Sequence, residues 1–242
     1  MKFKHFSFPF SFSFSFCFSF SFFSFGQVDL YEHAMNQVGS DTSHWAFELF
    51  HEQDLPYNPK LHALIIPEYT DSAEYYFSVK THVVIEEKST HRVIAHNFLM
   101  HDADAITIWG YQLDSATYEL ASGKVAFGLK TIYHGFSHAN PFDSTALDLF
   151  IVDGNRLNHV LSTSSDVYYG EWDTNCDGNF FMRKDELNVR PEKTNGYFNL
   201  QLIQHGEVIV QYSTEQGDCE DMTESVTTQV SEFYFNGETY TP

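Results

Sequence analysis

From Leu61 to the end of the chain, apolar and polar residues alternate in one short segment after another, as in "EYYFSVKTHVVIEE" and "GKVAFGLKTIYH". Alternation with a period of two is typical of a β-strand that buries one face. The regular helices that an α/β fold would need between its strands are missing from this pattern. The sequence therefore predicts a mainly β protein, built as an antiparallel β-sandwich or a partly open barrel.

Turn-forming pairs separate several of these segments and predict β-hairpins. They are Asp153-Gly154, His205-Gly206 and Asn236-Gly237. Residues 27–60 differ from the rest, because the spacing of Trp45, Leu49 and Phe50 is compatible with a helix. We therefore expect one or two short helical or irregular segments at 27–60, followed by a β-rich domain at 61–242.

Residues 1–26 have the organisation of a secretory signal peptide. Lys2 and Lys4 form a basic start, a run of alternating Phe and Ser follows, and Ser24-Phe25-Gly26 ends the run with small residues at the two positions that a signal peptidase reads. A membrane anchor needs about 20 predominantly apolar residues, and serine interrupts this run throughout. The segment resembles the export signals of Gram-negative bacterial proteins. We therefore expect cleavage after Gly26 and a secreted or periplasmic location.

The chain is strongly acidic, with a net charge of −20. Removal of Lys2 and Lys4 with the signal peptide makes the remaining chain more negative still. Such a charge repels nucleic acids and anionic membrane surfaces. We therefore expect no nucleic-acid partner and no stable membrane insertion after processing; a cationic partner or a salty environment both fit the charge.

Two cysteines lie beyond the predicted cleavage site, Cys176 and Cys219. In an exported protein an isolated pair predicts a disulfide, and closing a loop of this length stabilises the fold by about 4 kcal/mol in the chain-entropy model. Two free thiols are the alternative. No cysteine and histidine quartet has the spacing of a structural zinc site.

The segment "DTNCDGN" matches the first half of a calcium-binding loop. Side-chain oxygens would come from Asp173, Asn175 and Asp177, and a backbone carbonyl from Asn179. The match fails at the twelfth position, where Lys184 replaces the usual bidentate glutamate. The alternative is a hairpin turn, since Asp, Asn and Gly favour turns without any metal. Ca²⁺ is the one cofactor that the sequence suggests.

Histidines recur in "HRVIAHNFLMHDAD" at intervals of five residues. On a strand an odd interval reverses the face, so His96 points away from His91 and His101 and the three cannot share one ion. A transition-metal site at the strand end would need His101, Asp102 and Asp104 to converge. The alternative is a set of exposed or hydrogen-bonded histidines on a sheet.

Motifs of the common catalytic classes, including GxSxG, HExxH and the phosphate-binding glycine loops, do not occur in the chain. The sequence therefore favours an exported, acidic, non-catalytic β-rich protein that binds a ligand or a partner. Two alternatives remain open. One is a secreted or periplasmic metal-assisted hydrolase that uses acidic residues and histidines of 91–104 or 173–186. The other is a calcium-stabilised surface or binding module.

Processing of the N-terminus gives a direct test. Expression of the full chain with its own N-terminus in a Gram-negative host should yield a product that begins at Gln27, as read by N-terminal sequencing or intact mass. Recovery of the exported protein with residues 1–26 still attached would contradict the signal-peptide prediction.

Overall fold

A computed structural model describes residues 25–39, 44–73, 76–103 and 105–242. The predicted signal peptide lies outside these residues except for its last two, Phe25 and Gly26, which begin the first helix. Its cleavage therefore stays a prediction.

Strands account for most of the described chain. The helical elements are α1 (Phe25–Val38) and a 3-10 helix (Phe47–Leu49). The strands are β1 (His51–Leu55), β2 (Asn58–Ala73), β3 (Tyr76–Glu87), β4 (Arg92–Ala103), β5 (Ile106–Ala121), β6 (Lys124–Gly135), β7 (Phe142–Asp153), β8 (Arg156–Trp172), β9 (Gly178–Thr194), β10 (Tyr197–Ser213), β11 (Cys219–Phe235) and β12 (Tyr240–Thr241). The segment at 27–60 is thus helical at its start, as expected, but its end is β1 and the first residues of β2.

The strands form two antiparallel sheets in which neighbours in sequence are neighbours in space. The small sheet has the order β1-β2-β3-β4, and the large sheet runs from β5 to β12 without a crossover. Strand β5 also contacts β10, so the large sheet curls back over itself without closing into a barrel. The structure confirms the mainly β, antiparallel, sandwich-like fold with a short helical region near the N-terminus.

The first hydrophobic core lies between the small sheet and one face of the large sheet. Val83 and Ile85 of β3 meet Phe127 of β6 and Phe150 of β7, whose rings stack with centroids 5.7 Å apart. All four side chains are at most 2% exposed. Burial of each such side chain is worth about 1.5–3 kcal/mol, so this interface is the main link between the two sheets.

The second core lies on the opposite face of the large sheet, inside its curl. Leu147, Leu149 and Ile151 of β7 point into it, alternating with Phe150 in the first core. The far side of this core comes from the later strands and includes Leu200. Residues 147–151 are all buried, so β7 has core on both faces, a pattern more typical of a central parallel strand.

A third, smaller cluster covers the outer face of the small sheet. Ala34 and Met35 of α1 and the ring of Trp45 pack on Leu64 and Ile66 of β2. Within the part of the chain that the structure describes, no helix is long and apolar enough to cross a membrane.

The predicted disulfide between Cys176 and Cys219 is present, with the two Cα atoms 5.3 Å apart. Cys176 lies in the turn between β8 and β9, and Cys219 is the first residue of β11. The bond therefore ties the β8–β9 hairpin to the edge strand at one end of the large sheet.

Two of the three predicted hairpin turns are confirmed. Gly154 and Gly237 adopt positive φ values of 62° and 114° in the turns that end β7 and β11. The prediction at Gly206 is wrong, because β10 continues through it and pairs it with Thr227. A Cβ at Gly206 would lie 3.1 Å from the ring of Phe181 and 2.8 Å from Thr227 Oγ1. The glycine gives space for these side chains and does not turn the chain.

We expect Gly206→Ala to lower the free energy of unfolding by about 1 kcal/mol, because the methyl group must displace the Phe181 ring or Thr227. Gly110→Ala is the matched control, since a Cβ at this strand glycine meets nothing within 4 Å. Urea unfolding of both variants measures the difference. Equal stability of the two variants would contradict this reading of Gly206.

Candidate functional site

An open groove of about 700 Å³ lies on one face of the large sheet, at the end where β6 is followed by β7. Its floor is formed by β8, β9 and β10, and its sides by the loop between β6 and β7 and by the edge strand β11. We call it the aromatic groove and define it by Phe136, Tyr168, Trp172 and Phe180 together with two carboxylates, Asp143 and Asp221.

Strand register explains why these side chains meet. Asp143 pairs with Tyr168, Gly170 with Phe180, and Phe180 with Ile209. Directly paired residues and residues two apart on one strand point to the same face of an antiparallel sheet. Gln211 and Asp221 are paired in the same way. One face of five adjacent strands therefore supplies the groove.

Two glycines allow the floor to be flat. A Cβ at Gly170 would lie 2.5 Å from Cδ1 of Phe180, and a Cβ at Gly178 would lie 2.8 Å from its Cε2. The Phe180 ring therefore lies across both glycines. It stacks nearly parallel to Tyr168, with centroids 5.9 Å apart and an interplanar angle of 7°.

The side near β6 carries aromatic rings that face solvent. Phe136 is 64% exposed and Trp109 is 58% exposed, and their ring centroids are 5.9 Å apart. The His134 ring contacts both, with centroids 5.1 Å from each. Large exposed aromatic side chains that form one patch mark interaction surfaces more often than isolated ones do.

The polar groups of the groove are already oriented by hydrogen bonds. His134 Nδ1–H donates to Asp143 Oδ1 at 2.6 Å, and Gln211 Nε2–H donates to Asp221 Oδ1 at 2.9 Å. Ser137 Oγ accepts the backbone N–H of Asn140 at 3.0 Å. His134 and Asp143 resemble the base and the orienting acid of a catalytic triad. Ser137, however, is hydrogen-bonded within its own turn, and the described contacts include no bond between Ser137 and His134.

A second hollow, of about 570 Å³, adjoins the groove at Trp172 and contains part of the predicted calcium loop. We call it the acidic hollow; Glu171, Asp173, Asp177 and Asn179 line it, together with Asn140. Of the four predicted ligands, the structure thus places three in one open space and leaves Asn175 outside its lining.

The carboxylates of this loop organise the turn between β8 and β9. Asp173 Oδ1 accepts the backbone N–H groups of Asn175 at 2.8 Å and Asp177 at 3.0 Å, as in an Asx-turn. Asp177 Oδ1 accepts the N–H of Ser213 at 3.0 Å, which joins the turn to the end of β10. These contacts support the turn interpretation without requiring an ion.

Across residues 25–39, 44–73, 76–103 and 105–242, no group of three or more His, Cys, Asp or Glu side chains is placed to hold a metal ion. The calcium loop would also use asparagine and backbone oxygens, so the Ca²⁺ site at 173–179 stays a prediction. Among the described residues, no group of three carboxylates converges on this loop to make up for the missing ligand at its twelfth position.

The histidines of 91–104 do not converge. His96 lies on the outer face of the small sheet beside His82, whereas His101 faces the core and is hydrogen-bonded to Tyr133 at 2.8 Å. Asp102 accepts a hydrogen bond from Ser78 Oγ at 2.7 Å on the side opposite to His101. Asp104 lies outside the described residues. The structure therefore gives no support for a shared metal site here.

His82 is buried and is the centre of a partly buried hydrogen-bond chain. Its Nε2–H donates to Glu68 at 2.9 Å, because the carboxylate can only accept. The remaining nitrogen, Nδ1, then accepts Nε2–H of His96 at 3.0 Å, which requires a neutral His82. Burial lowers the pKa of His82, and burial, with smaller contributions from the neighbouring His82 and Lys80, lowers the pKa of His96 to about 4.

Comparison with known proteins gives no guide to function. No protein-family model matches the chain, and no curated protein or solved structure is significantly similar to it. The geometry of the aromatic groove is therefore the guide to function.

Most residues of the groove were not identified from the sequence. Trp109, Trp172 and the adjacent pair Ser137-His138 belong to no recognisable motif of the sequence. A usable signal was the pattern "YYGEW", in which Gly170 interrupts a strand between aromatic residues. A glycine inside a strand often marks close approach of another group, here the ring of Phe180.

We expect stability to decrease as the pH falls from about 6.5 to about 4. In this window an unfolded His96 binds a proton whereas the folded one stays neutral, so protonation favours the unfolded chain. His96→Gln keeps a donor for His82 and should reduce the loss by about 1–2 kcal/mol, the full shift being moderated by partial solvation. Urea unfolding at several pH values measures this, and an unchanged pH dependence in the variant would contradict it.

Proposed function

We propose that the chain is an exported, acidic, non-catalytic β-rich protein that binds a small ligand in the aromatic groove. The observation that carries the proposal is the groove itself, in which aromatic rings and a few oriented polar groups converge on one open space. Its volume of about 700 Å³ lies within the roughly 300–1,000 Å³ typical of small-molecule sites.

The groove is preorganised by the sheet beneath it. Tyr168, Trp172 and Phe180 lie on paired strands, and the disulfide at Cys176 anchors the turn directly after Trp172. A ligand therefore meets rings that are already in position, and less conformational entropy is lost on binding. A ligand that covers rings exposed to water in the free protein removes apolar surface from water, which contributes favourable binding free energy.

The polar groups favour binding over catalysis. The His134–Asp143 pair is the one arrangement in the groove that fits the hydrolase alternative, since an oriented histidine can act as a general base. A covalent mechanism also needs a nucleophile within hydrogen-bond reach of that base. Ser137 instead accepts the N–H of Asn140, and its hydroxyl belongs to the loop that forms one side of the groove.

Export is supported by two independent features. The disulfide between Cys176 and Cys219 is of the kind that persists in oxidising compartments. The N-terminal sequence has the organisation of a signal peptide. A binding protein in such a compartment meets its ligand outside the cytoplasm.

The test uses N-phenyl-1-naphthylamine, a neutral dye that becomes fluorescent in apolar sites. We expect saturable binding of one dye per chain, because the dye matches the aromatic floor. Trp172→Ala and Phe180→Leu should each weaken binding by about tenfold through loss of ring contact. Fluorescence titration measures the affinity.

Phe98→Ala is the matched control, since Phe98 is an exposed ring on β4 that is not part of the groove. It should leave dye binding unchanged, and circular dichroism shows whether each variant is folded. Absence of saturable binding to the parent protein, or equal binding by folded Trp172→Ala, would contradict the proposed function.

A further inference from the structure

The fixed charges in the linings of the aromatic groove and the acidic hollow are all negative. Asp143 and Asp221 line the aromatic groove, and Glu171, Asp173 and Asp177 line the acidic hollow that adjoins it at Trp172. Neither lining, as far as the structure describes the chain, includes a lysine or an arginine. The groove lining also includes His134, which is hydrogen-bonded to Asp143, and His138. A lysine and an arginine, Lys184 and Arg183, line a neighbouring hollow that shares Asp143 and Tyr168 with the groove, and Arg183 Nε is paired with Asp185 Oδ1 at 2.9 Å. The fixed charge that a ligand meets in the lining of the groove itself is therefore negative.

The two groove carboxylates are not adjacent to each other. Asp143 is on β7 and Asp221 is on β11, and the three floor strands lie between them. Aromatic rings occupy this intervening surface. A metal ion requires oxygen ligands that converge on one point, which this arrangement does not provide. A larger cation that lies over the floor is attracted from both sides.

The faces of the floor rings are suited to the same charge. Aromatic faces carry partial negative charge and attract ammonium groups, most strongly when water is displaced. Tyr168 and Phe180 supply two such rings to the groove, nearly parallel and with centroids 5.9 Å apart, and Trp172 belongs to the residue type that binds cations best. An apolar body on the ligand would cover the remaining ring surface.

The charge of the whole chain acts in the same direction. A net charge of −20 raises the local concentration of cations and disfavours anions. A neutral ligand would gain from the rings but not from the carboxylates, and an anionic ligand would be repelled by them.

We propose that the ligand of the aromatic groove is a small organic cation, in which a primary or quaternary ammonium group is attached to an apolar or aromatic body. This inference rests on the proposed function and specifies the chemistry of its ligand. The faces of the rings contact the apolar body and the ammonium group of the ligand. Asp143 and Asp221 supply the negative charge that selects the cation.

Three probes of one shape test the role of charge: benzylammonium, benzyl alcohol and benzoate, measured near neutral pH by displacement of N-phenyl-1-naphthylamine. We expect benzylammonium to bind about tenfold more tightly than benzyl alcohol, and benzoate to bind most weakly. The advantage of benzylammonium should shrink when salt is raised from about 20 mM to about 500 mM, because screening acts on the charge alone.

The double variant Asp143→Asn/Asp221→Asn keeps the shape of both side chains and removes their charge. It should weaken benzylammonium by about tenfold and leave benzyl alcohol unchanged. Glu238→Gln is the control, because this exposed carboxylate lies in the turn after β11, outside the groove. It should leave the preference for benzylammonium unaltered.

The outcomes separate this inference from the function on which it rests. If the dye binds but the three probes compete equally, the groove is an apolar site and the cation inference is overturned while the proposed function stands. A preference that persists in the double variant would also overturn it. If the dye itself does not bind, the proposed function is contradicted, and the cation inference that rests on it is contradicted with it.

Discussion

Burial of β7 on both faces is the constraint on which the rest of the structure depends. Leu149 and Phe150 are adjacent residues, yet they point into different cores, and both are fully buried. The first core holds the small sheet in place, and the second forces the large sheet to curl over itself. Because β6 and β7 contribute buried residues to both cores, the loop between them, at 136–141, is attached to a hairpin that is packed on both faces. The aromatic groove is built from that loop and from the strands that follow.

Within the groove, small residues matter as much as large ones. Gly170 and Gly178 let the Phe180 ring lie flat on the sheet, and the ring then forms a continuous surface with Tyr168. The disulfide at Cys176 fixes the turn beyond Trp172, and the Asx-turn at Asp173 orders the same turn by hydrogen bonds. Local backbone chemistry thus accounts for the shape of the floor, while the carboxylates at its two sides account for its charge.

Alternation of apolar and polar residues was sufficient to predict the antiparallel fold, since each strand carries its own period-two pattern. The disulfide was also predictable, because Cys176 and Cys219 are the two cysteines beyond the predicted signal peptide. Gly206 was misread because glycine has two structural uses, in turns and beneath aromatic rings, and only the register with Thr227 and the position of Phe181 distinguish them. The groove could not be predicted, because Asp143, Phe180 and Asp221 are brought together by pairings between strands that sequence patterns do not specify.

Native-state hydrogen exchange tests most directly whether the doubly buried hairpin supports the rest. Backbone amides at 127–129 and 147–151 should exchange only through global unfolding, whereas amides at 222–231 of the exposed edge strand β11 should exchange through smaller openings and much faster. Amides of β6 and β7 that exchange as fast as those of β11 would contradict the account, because the two cores could not then share one stable strand.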